Sequence, residues 1–186
     1  MNEQVKPTVG VIIGSNRTAR MGGSITEWAL KLLQRPEYNL RVLDLADINL
    51  PFLDEPDLPA HGHYQNESTI AFAEMVATCD AFVFVFPQYN WGYPAVLKNA
   101  LDTVFKEWNG KPVGTIIYGG HTMQAEVAIR LVIAGLRMPQ LATNVSLILT
   151  DTTTRETVAR DFVNDAPSIR AMGAELAQRL RQSQGN

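Results

Sequence analysis

The sequence predicts a doubly wound α/β domain on five parallel strands. Three observations carry this expectation. Five short apolar runs rich in β-branched residues suit strands buried on both faces. Segments of helical period separate them. The runs also end in loops rich in glycine, proline or amides, as strands do at the carboxyl edge of an open sheet. Right-handed crossovers are expected, and the order 2-1-3-4-5, usual for five such units, is taken by analogy because periodicity alone does not order strands. At 186 residues and 46% hydrophobic content, one domain over residues 1–186 is expected. A domain of this size hides roughly 70% of its unfolded surface.

Residues 9–13 (VGVII) stop at Gly14-Ser15 and predict strand one. Ile25, Trp28, Ala29, Leu32 and Leu33 fall at helical spacing, predicting a helix over residues 23–33. After a turn at Arg35-Pro36-Glu37, residues 41–45 supply strand two. Residues 50–64 contain Pro51, Pro56 and Pro59 with His61, Gly62 and His63, and show neither period. A connection this long suits a binding loop or a lid, with surface irregularity as the alternative. Residues 68–78 predict a second helix with Ile70, Phe72, Ala73 and Val76 as its apolar side. Strand three covers residues 81–86 and needs cover on both faces. The third helix is expected over residues 94–108, with Pro94 tolerated in its first turn. On it, Leu97, Leu101, Val104, Phe105 and Trp108 suit either a subunit interface or the cover of the sheet. Strand four (113–118), a helix (123–134), strand five (141–149) and a last helix (166–180) complete the pattern.

Several function classes are set aside. Sixteen Lys plus Arg against nineteen Asp plus Glu give a net charge of −3, and neither sign forms a long block. A duplex-binding protein needs a basic stripe, so no nucleic-acid partner is expected. The start lacks the pattern of a signal peptide, and no apolar stretch reaches the ~20 residues that cross a bilayer. The expectation is a cytoplasmic protein without a membrane partner. Cys79 is the only cysteine and reads as a buried thiol at a helix end. His61 and His63 are spaced to share a metal but lack a nearby cysteine or HExxH context, so no metal is expected. Asp54, Glu55 and Asp57 read as a solvated loop. No GxSxG elbow supports a serine nucleophile.

The loops after strands one, three and four should meet where the winding changes direction. In the first, Gly14, Gly22 and Gly23 allow close main-chain approach, Ser15 and Ser24 offer hydroxyls, and Arg17 and Arg20 offer charge. A helix N-terminus follows, so the loop reads as a phosphate cradle. It matches neither GxGxxG nor the Walker pattern. Arg17, just past the strand end, is the stronger phosphate ligand. Arg20 suits a phosphate contact, a solvated loop arginine or a subunit contact. The second loop runs through Pro87, Gln88, Tyr89, Asn90, Trp91, Gly92, Tyr93 and Pro94. Its backbone can border a flat heterocycle, Tyr89 can pack beside it, and Asn90 suits either a ring contact or an Asx turn. Trp91 and Tyr93 suit a second subunit, a nicotinamide site or plain surface packing. In the third loop, Gly119 and Gly120 again permit close approach. His121 suits a pocket-lining or helix-capping position better than a proton donor.

The segments GSNRTARMGGSITEWA, LPFLDEP, PQYNWGYPAVLKNALD and YGGH together resemble the NADPH-dependent FMN reductase family, the flavodoxin-like group of small azoreductases and quinone reductases. They span most of residues 9–138 in the expected order, and the PxYN…P…LKNAxD pattern is the specific part. The resemblance implies FMN as cofactor and NADPH as reductant. Ser15, Arg17 and the amides of Gly22, Gly23, Ser24 and Ile25 would hold the FMN phosphate, with Arg20 as a further contact. Pro87, Gln88, Tyr89 and Asn90 would border the isoalloxazine, with Gly92 in the same loop. Gly119 and Gly120 would close the pyrimidine side, and His121 would line the pocket. Lys98 and Asn99 read as helix scaffold bracing the loop. Homodimers, or homotetramers of two dimers, are implied, with the flavin near the subunit boundary.

The implied activity is ping-pong transfer of two electrons from NADPH through the flavin to a small acceptor: free flavin, a quinone, an azo dye, a nitroaromatic or chromate. The cofactor carries the chemistry and no side-chain nucleophile is required. Two rivals share the fold: an FMN-binding electron carrier and a flavin-dependent regulatory protein. Arg17 and the modest net charge set this chain apart from strongly acidic carriers.

Overall fold

The computed structural model describes residues 6–184. Five parallel strands form one sheet in the order β2-β1-β3-β4-β5. They are β1 (Thr8–Ile13), β2 (Asn39–Asp44), β3 (Ala81–Pro87), β4 (Val113–Gly119) and β5 (Val145–Ile148). The helices are α1 (Gly22–Leu33), α2 (Leu45–Ile48), α3 (Glu67–Ala77), α4 (Ala95–Thr103), α5 (Met123–Gly135), α6 (Val158–Asp161) and α7 (Ala166–Gln184). Both the fold class and the strand order match the sequence expectation.

Strand β3 shows why the sheet needs two covers. Ala81, Val83 and Val85 point into a core closed by α1, α6 and α7. Phe82, Phe84 and Phe86 point into a second core closed by α3, α4 and α5. Trp108 packs edge-on against Phe82, with centroids 4.9 Å apart at 66°, and against Phe84 at 6.1 Å and 87°. Leu97, Leu101, Val104 and Trp108 are fully buried in this second core, so their alternative role as a subunit face falls.

Other expectations need correction. The outer strands are not buried like the inner ones: β2 buries only Leu43 fully and β5 alternates. Strand β5 starts at Val145, not at residue 141, because the Asn144 side chain takes over the ladder. Its Oδ1 accepts from the Thr115 N–H (3.0 Å) and hydroxyl (2.9 Å). Helix α4 starts after Pro94 and stops at Thr103; Val104 is extended, and a short turn over Lys106–Trp108 carries the tryptophan into the core. The Phe105 N–H freed by that break donates to the Tyr64 hydroxyl (3.2 Å). Ile70 is 41% exposed, and Thr69 takes its place on the buried side of α3. The last helix runs beyond residue 180, and the short α2 and α6 fall in stretches read as connections.

Residues 50–64 are anchored along their length, which argues against a swinging lid. The Asn99 side chain donates to the Pro51 carbonyl (2.8 Å) and accepts from the Leu53 N–H (2.9 Å). Glu55 accepts from the N–H groups of Gln65 (2.8 Å) and Asn66 (3.1 Å), and Asp57 bonds the rings of His61 and His63. Glu55 and Asp57 are therefore anchors, contrary to the solvated-loop reading. Cys79 is buried as expected, and burial raises its thiol pKa.

Candidate functional site

The loops after β1 and β3 meet at the carboxyl edge of the sheet. Ser15 is fully buried, and its Oγ shares a 3.0 Å hydrogen bond with the Tyr89 hydroxyl. Gln88 fastens the second loop to the third region. Its N–H donates to the Tyr118 carbonyl (3.0 Å), and its Oε1 caps α5 by accepting from the Ala125 N–H (2.9 Å). Gln88 thereby braces the hairpin against β4 and α5.

Helix α1 begins without a side-chain cap and with no acidic residue in its first turn. Its first backbone bond runs from Ile25 N–H to Met21 O (3.0 Å), so the amides of Gly22, Gly23 and Ser24 come before the helical ladder. Such a terminus favours an anion. Gly22 is required by close approach: a Cβ there would lie 2.9 Å from the Tyr118 hydroxyl oxygen. Gly23 and Ser24 line a polar hollow of about 350 Å³ with Thr18, Arg20 and Arg155. Ile25 is a core residue whose N–H already bonds Met21, so the expected phosphate contact through its amide falls.

The two arginines differ. Arg17 is exposed, with its guanidinium 5.6 Å from the centre of the Tyr89 ring, and its side chain makes no hydrogen bond or ion pair among the described residues. Arg20 is committed inside the molecule: one terminal nitrogen donates to the Ser15 carbonyl (2.7 Å) and the other pairs with Asp44 (2.5 Å). With side chains 19% and 15% exposed, Arg20 and Asp44 are partly buried. Arg20 holds the cradle's shape.

Between β3 and α4, Tyr89 and Gly92 exchange backbone hydrogen bonds of 2.8 and 2.9 Å. Asn90 (φ 44°) and Trp91 (φ 67°) form the tip, both left-handed, as a tight two-residue hairpin demands. Asn90 makes no side-chain hydrogen bond among the described residues, so the Asx-turn alternative falls. Trp91 is 73% exposed. Below the hairpin lies a cleft of about 430 Å³ where Arg17, Phe52, Tyr89, Ala95 and Val96 converge. A larger cavity of about 480 Å³ lies against Leu58, Phe105 and Leu136 and contains no candidate residue.

Gly119 has φ 152°, and a Cβ there would lie 3.1 Å from the His121 carbonyl, so glycine is needed. Gly120 and His121 are exposed, and His121 makes no hydrogen bond among the described residues. Pro87 is buried at the strand end. Sequence reasoning missed Asp44, Tyr118 and Arg155. The Arg155 guanidinium donates to the Thr18 carbonyl (3.0 Å) across 137 residues. Its only sequence signal was position, in the loop after β5 at the same sheet edge. The rim can hold an anion beside a flat ring.

Residues 7–152 match the family described as NADPH-dependent FMN reductase. Over 121 residues the chain is 45% identical to an NAD(P)H-dependent FMN reductase of Schizosaccharomyces pombe, covering 63% of this chain and 60% of that protein. The match therefore spans less than two thirds of that relative's length. An NAD(P)H-dependent FMN reductase of Saccharomyces cerevisiae is 36% identical, over 70% of this chain and 75% of its own. Among solved structures, an NAD(P)H:quinone oxidoreductase from Methanothermobacter marburgensis superposes with a TM-score of 0.69 at 16% identity, covering 92% of this chain and all of that one (100%). At that identity the likeness concerns the flavodoxin-like fold.

Proposed function

The chain belongs to the NADPH-dependent FMN reductase family, and from that membership we propose that it is an NAD(P)H-dependent oxidoreductase that holds FMN at the carboxyl edge of its sheet. The Ser15–Tyr89 hydrogen bond carries the reading, because it joins the anion-binding loop to the ring-binding hairpin on one rim. The residues present fit the cofactor. The first turn of α1 is uncapped and free of acids, the Arg17 guanidinium has no hydrogen bond or ion pair among the described residues, and the buried Tyr118 hydroxyl beside Gly22 has no acceptor for its proton.

When bound, FMN supplies the chemistry, taking a hydride from the nicotinamide and passing two electrons to an acceptor. The protein binds, orients and screens. Arg17 and the amides of Gly22, Gly23 and Ser24 would hold the phosphate, and Ser15 would supply a hydroxyl, whereas the Ile25 N–H is taken by Met21. The Tyr89 ring and the main chain of the hairpin would flank the isoalloxazine, and the Asn90 amide would donate a hydrogen bond to it. Gly119 and Gly120 leave the pyrimidine edge open to backbone contact. Because Arg20 is occupied by Asp44, it offers little to a 2′-phosphate, so the reading covers both NADPH and NADH. The exposed Phe52 and Trp91 suit flat acceptors such as quinones, azo compounds or free flavin.

All proposed site residues hang on one sheet, which supports a single functional domain. No helix among the described residues is long and apolar enough to cross a membrane, and the proposed compartment is the cytoplasm. A homodimer or homotetramer is the proposed assembly, supported by the exposed stripe Met123, Val127 and Leu131 on α5. The test is anaerobic addition of NADPH to the FMN-loaded protein while the flavin absorbance is followed. Bleaching within seconds is expected. Retention of FMN without bleaching would point to a carrier or regulator, and failure to retain FMN would refute the site.

A further inference from the structure

Tyr118 ends in a buried hydroxyl, on a residue only 3% exposed, whose oxygen faces the Gly22 N–H but whose proton has no acceptor among the described residues. Such groups are uncommon in folded proteins because water is lost without replacement. This oxygen lies at a specific place. An added Cβ on Gly22, the first residue of the twelve-residue α1, would sit 2.9 Å from it. It therefore stands beside the uncapped amides of Gly22, Gly23 and Ser24. Tyr89, which carries the Ser15-bonded hydroxyl, and the guanidinium groups of Arg20 and Arg17 are all near enough to perturb it. Burial first, then Tyr89, push the phenol well above its ordinary range, so it keeps its proton at neutral pH. What it lacks is an acceptor.

We propose that Tyr118 is a phosphate-binding residue whose hydroxyl donates to the FMN phosphate at the first turn of α1, helping the site select FMN over riboflavin. The inference rests on the FMN reading above and adds a residue from β4 to a cradle otherwise built from the loop after β1. Packing alone does not explain the oxygen: phenylalanine would fill the same space under α1 without an orphaned hydroxyl.

Tyr118→Phe isolates that oxygen. Wild-type and variant apoproteins are titrated with FMN and with riboflavin by flavin fluorescence, and their melting is followed by calorimetry. The FMN dissociation constant is expected to rise about 10- to 100-fold in the variant, the span of one hydrogen bond to a charged group. Riboflavin affinity should stay within about twofold. In the apoprotein the exchange removes an unmatched donor but also the oxygen that the Gly22 N–H faces, so the melting temperature should move by no more than about 2 °C. Unchanged FMN affinity would overturn the inference, as would equal weakening toward both flavins, which would place the effect on the ring or the fold. A melting temperature lower by more than about 4 °C would reveal an internal acceptor for the hydroxyl proton and also count against it. If the wild type binds neither flavin, the FMN reading fails first and takes this inference with it.

Discussion

Arg17 and Arg20 lie on the same loop, yet the structure gives them separate tasks. Arg17 has no internal partner, so Arg17→Ala should leave the melting temperature nearly unchanged and weaken FMN binding about 10- to 100-fold. Equal FMN affinity in a fluorescence titration would remove it from the phosphate site. Arg20 bonds Ser15 and Asp44, so Arg20→Ala should cost about 2 kcal/mol, or about 4–8 °C in Tm, before any ligand is added. A double-mutant cycle with Asp44→Ala checks this; additive losses would contradict the pairing. The sequence made Ser15, Arg17 and the hairpin glycine legible because strand ends and motif spacing mark them. It could not show that Arg20 is consumed by Asp44, since that pairing depends on how β2 lies beside β1. Tyr118 and Arg155 were hidden for the same reason: each reaches the first loop through tertiary packing.

Element boundaries were legible where one force dominates. β3 is apolar on both faces and began and ended nearly as read. α4 and β5 were misjudged because side chains replace the backbone at their ends, Tyr64 at Phe105 and Asn144 at Thr115. The segment over residues 50–64 was legible as irregular but not as anchored. Asn99→Ala should leave the Pro51 carbonyl and Leu53 N–H unpaired, costing about 2–3 kcal/mol, and should speed hydrogen exchange at Leu53. Unchanged exchange there would show that Asn99 does not brace the segment. Asp57 adds a pH signature. Hydrogen bonds from the His61 and His63 rings, then from the Leu58 N–H, lower its carboxyl pKa to about 2. Since this lies below the ordinary ~3.9, the anchor is complete above about pH 4 and is lost as pH falls through about 2. An NMR titration of the Asp57 carboxyl should show that low midpoint; a value near 4 would mean the histidine contacts do not form.

At the scale of the molecule, the order 2-1-3-4-5 gathers residues far apart in sequence along one rim. The burial of the outer strands was less legible because apolar content does not show which strands have neighbours on both sides. The same limit applies to assembly: Leu97 and Leu101 turned inward, while Met123, Val127 and Leu131 remain on the surface of α5. If that stripe joins copies of the chain, Leu131→Glu should shift sedimentation toward the monomer; an unchanged distribution would place the interface elsewhere. The central claim is that the loops after β1, β3 and β4 form one FMN site. A crystal structure of the protein grown with FMN tests it most directly. The account predicts the phosphate at the first turn of α1 within reach of Arg17, and the ring beside Tyr89 with its pyrimidine edge toward Gly119 and Gly120. FMN bound instead in the apolar cavity by Leu58 and Phe105, with the α1 terminus unengaged, would contradict it.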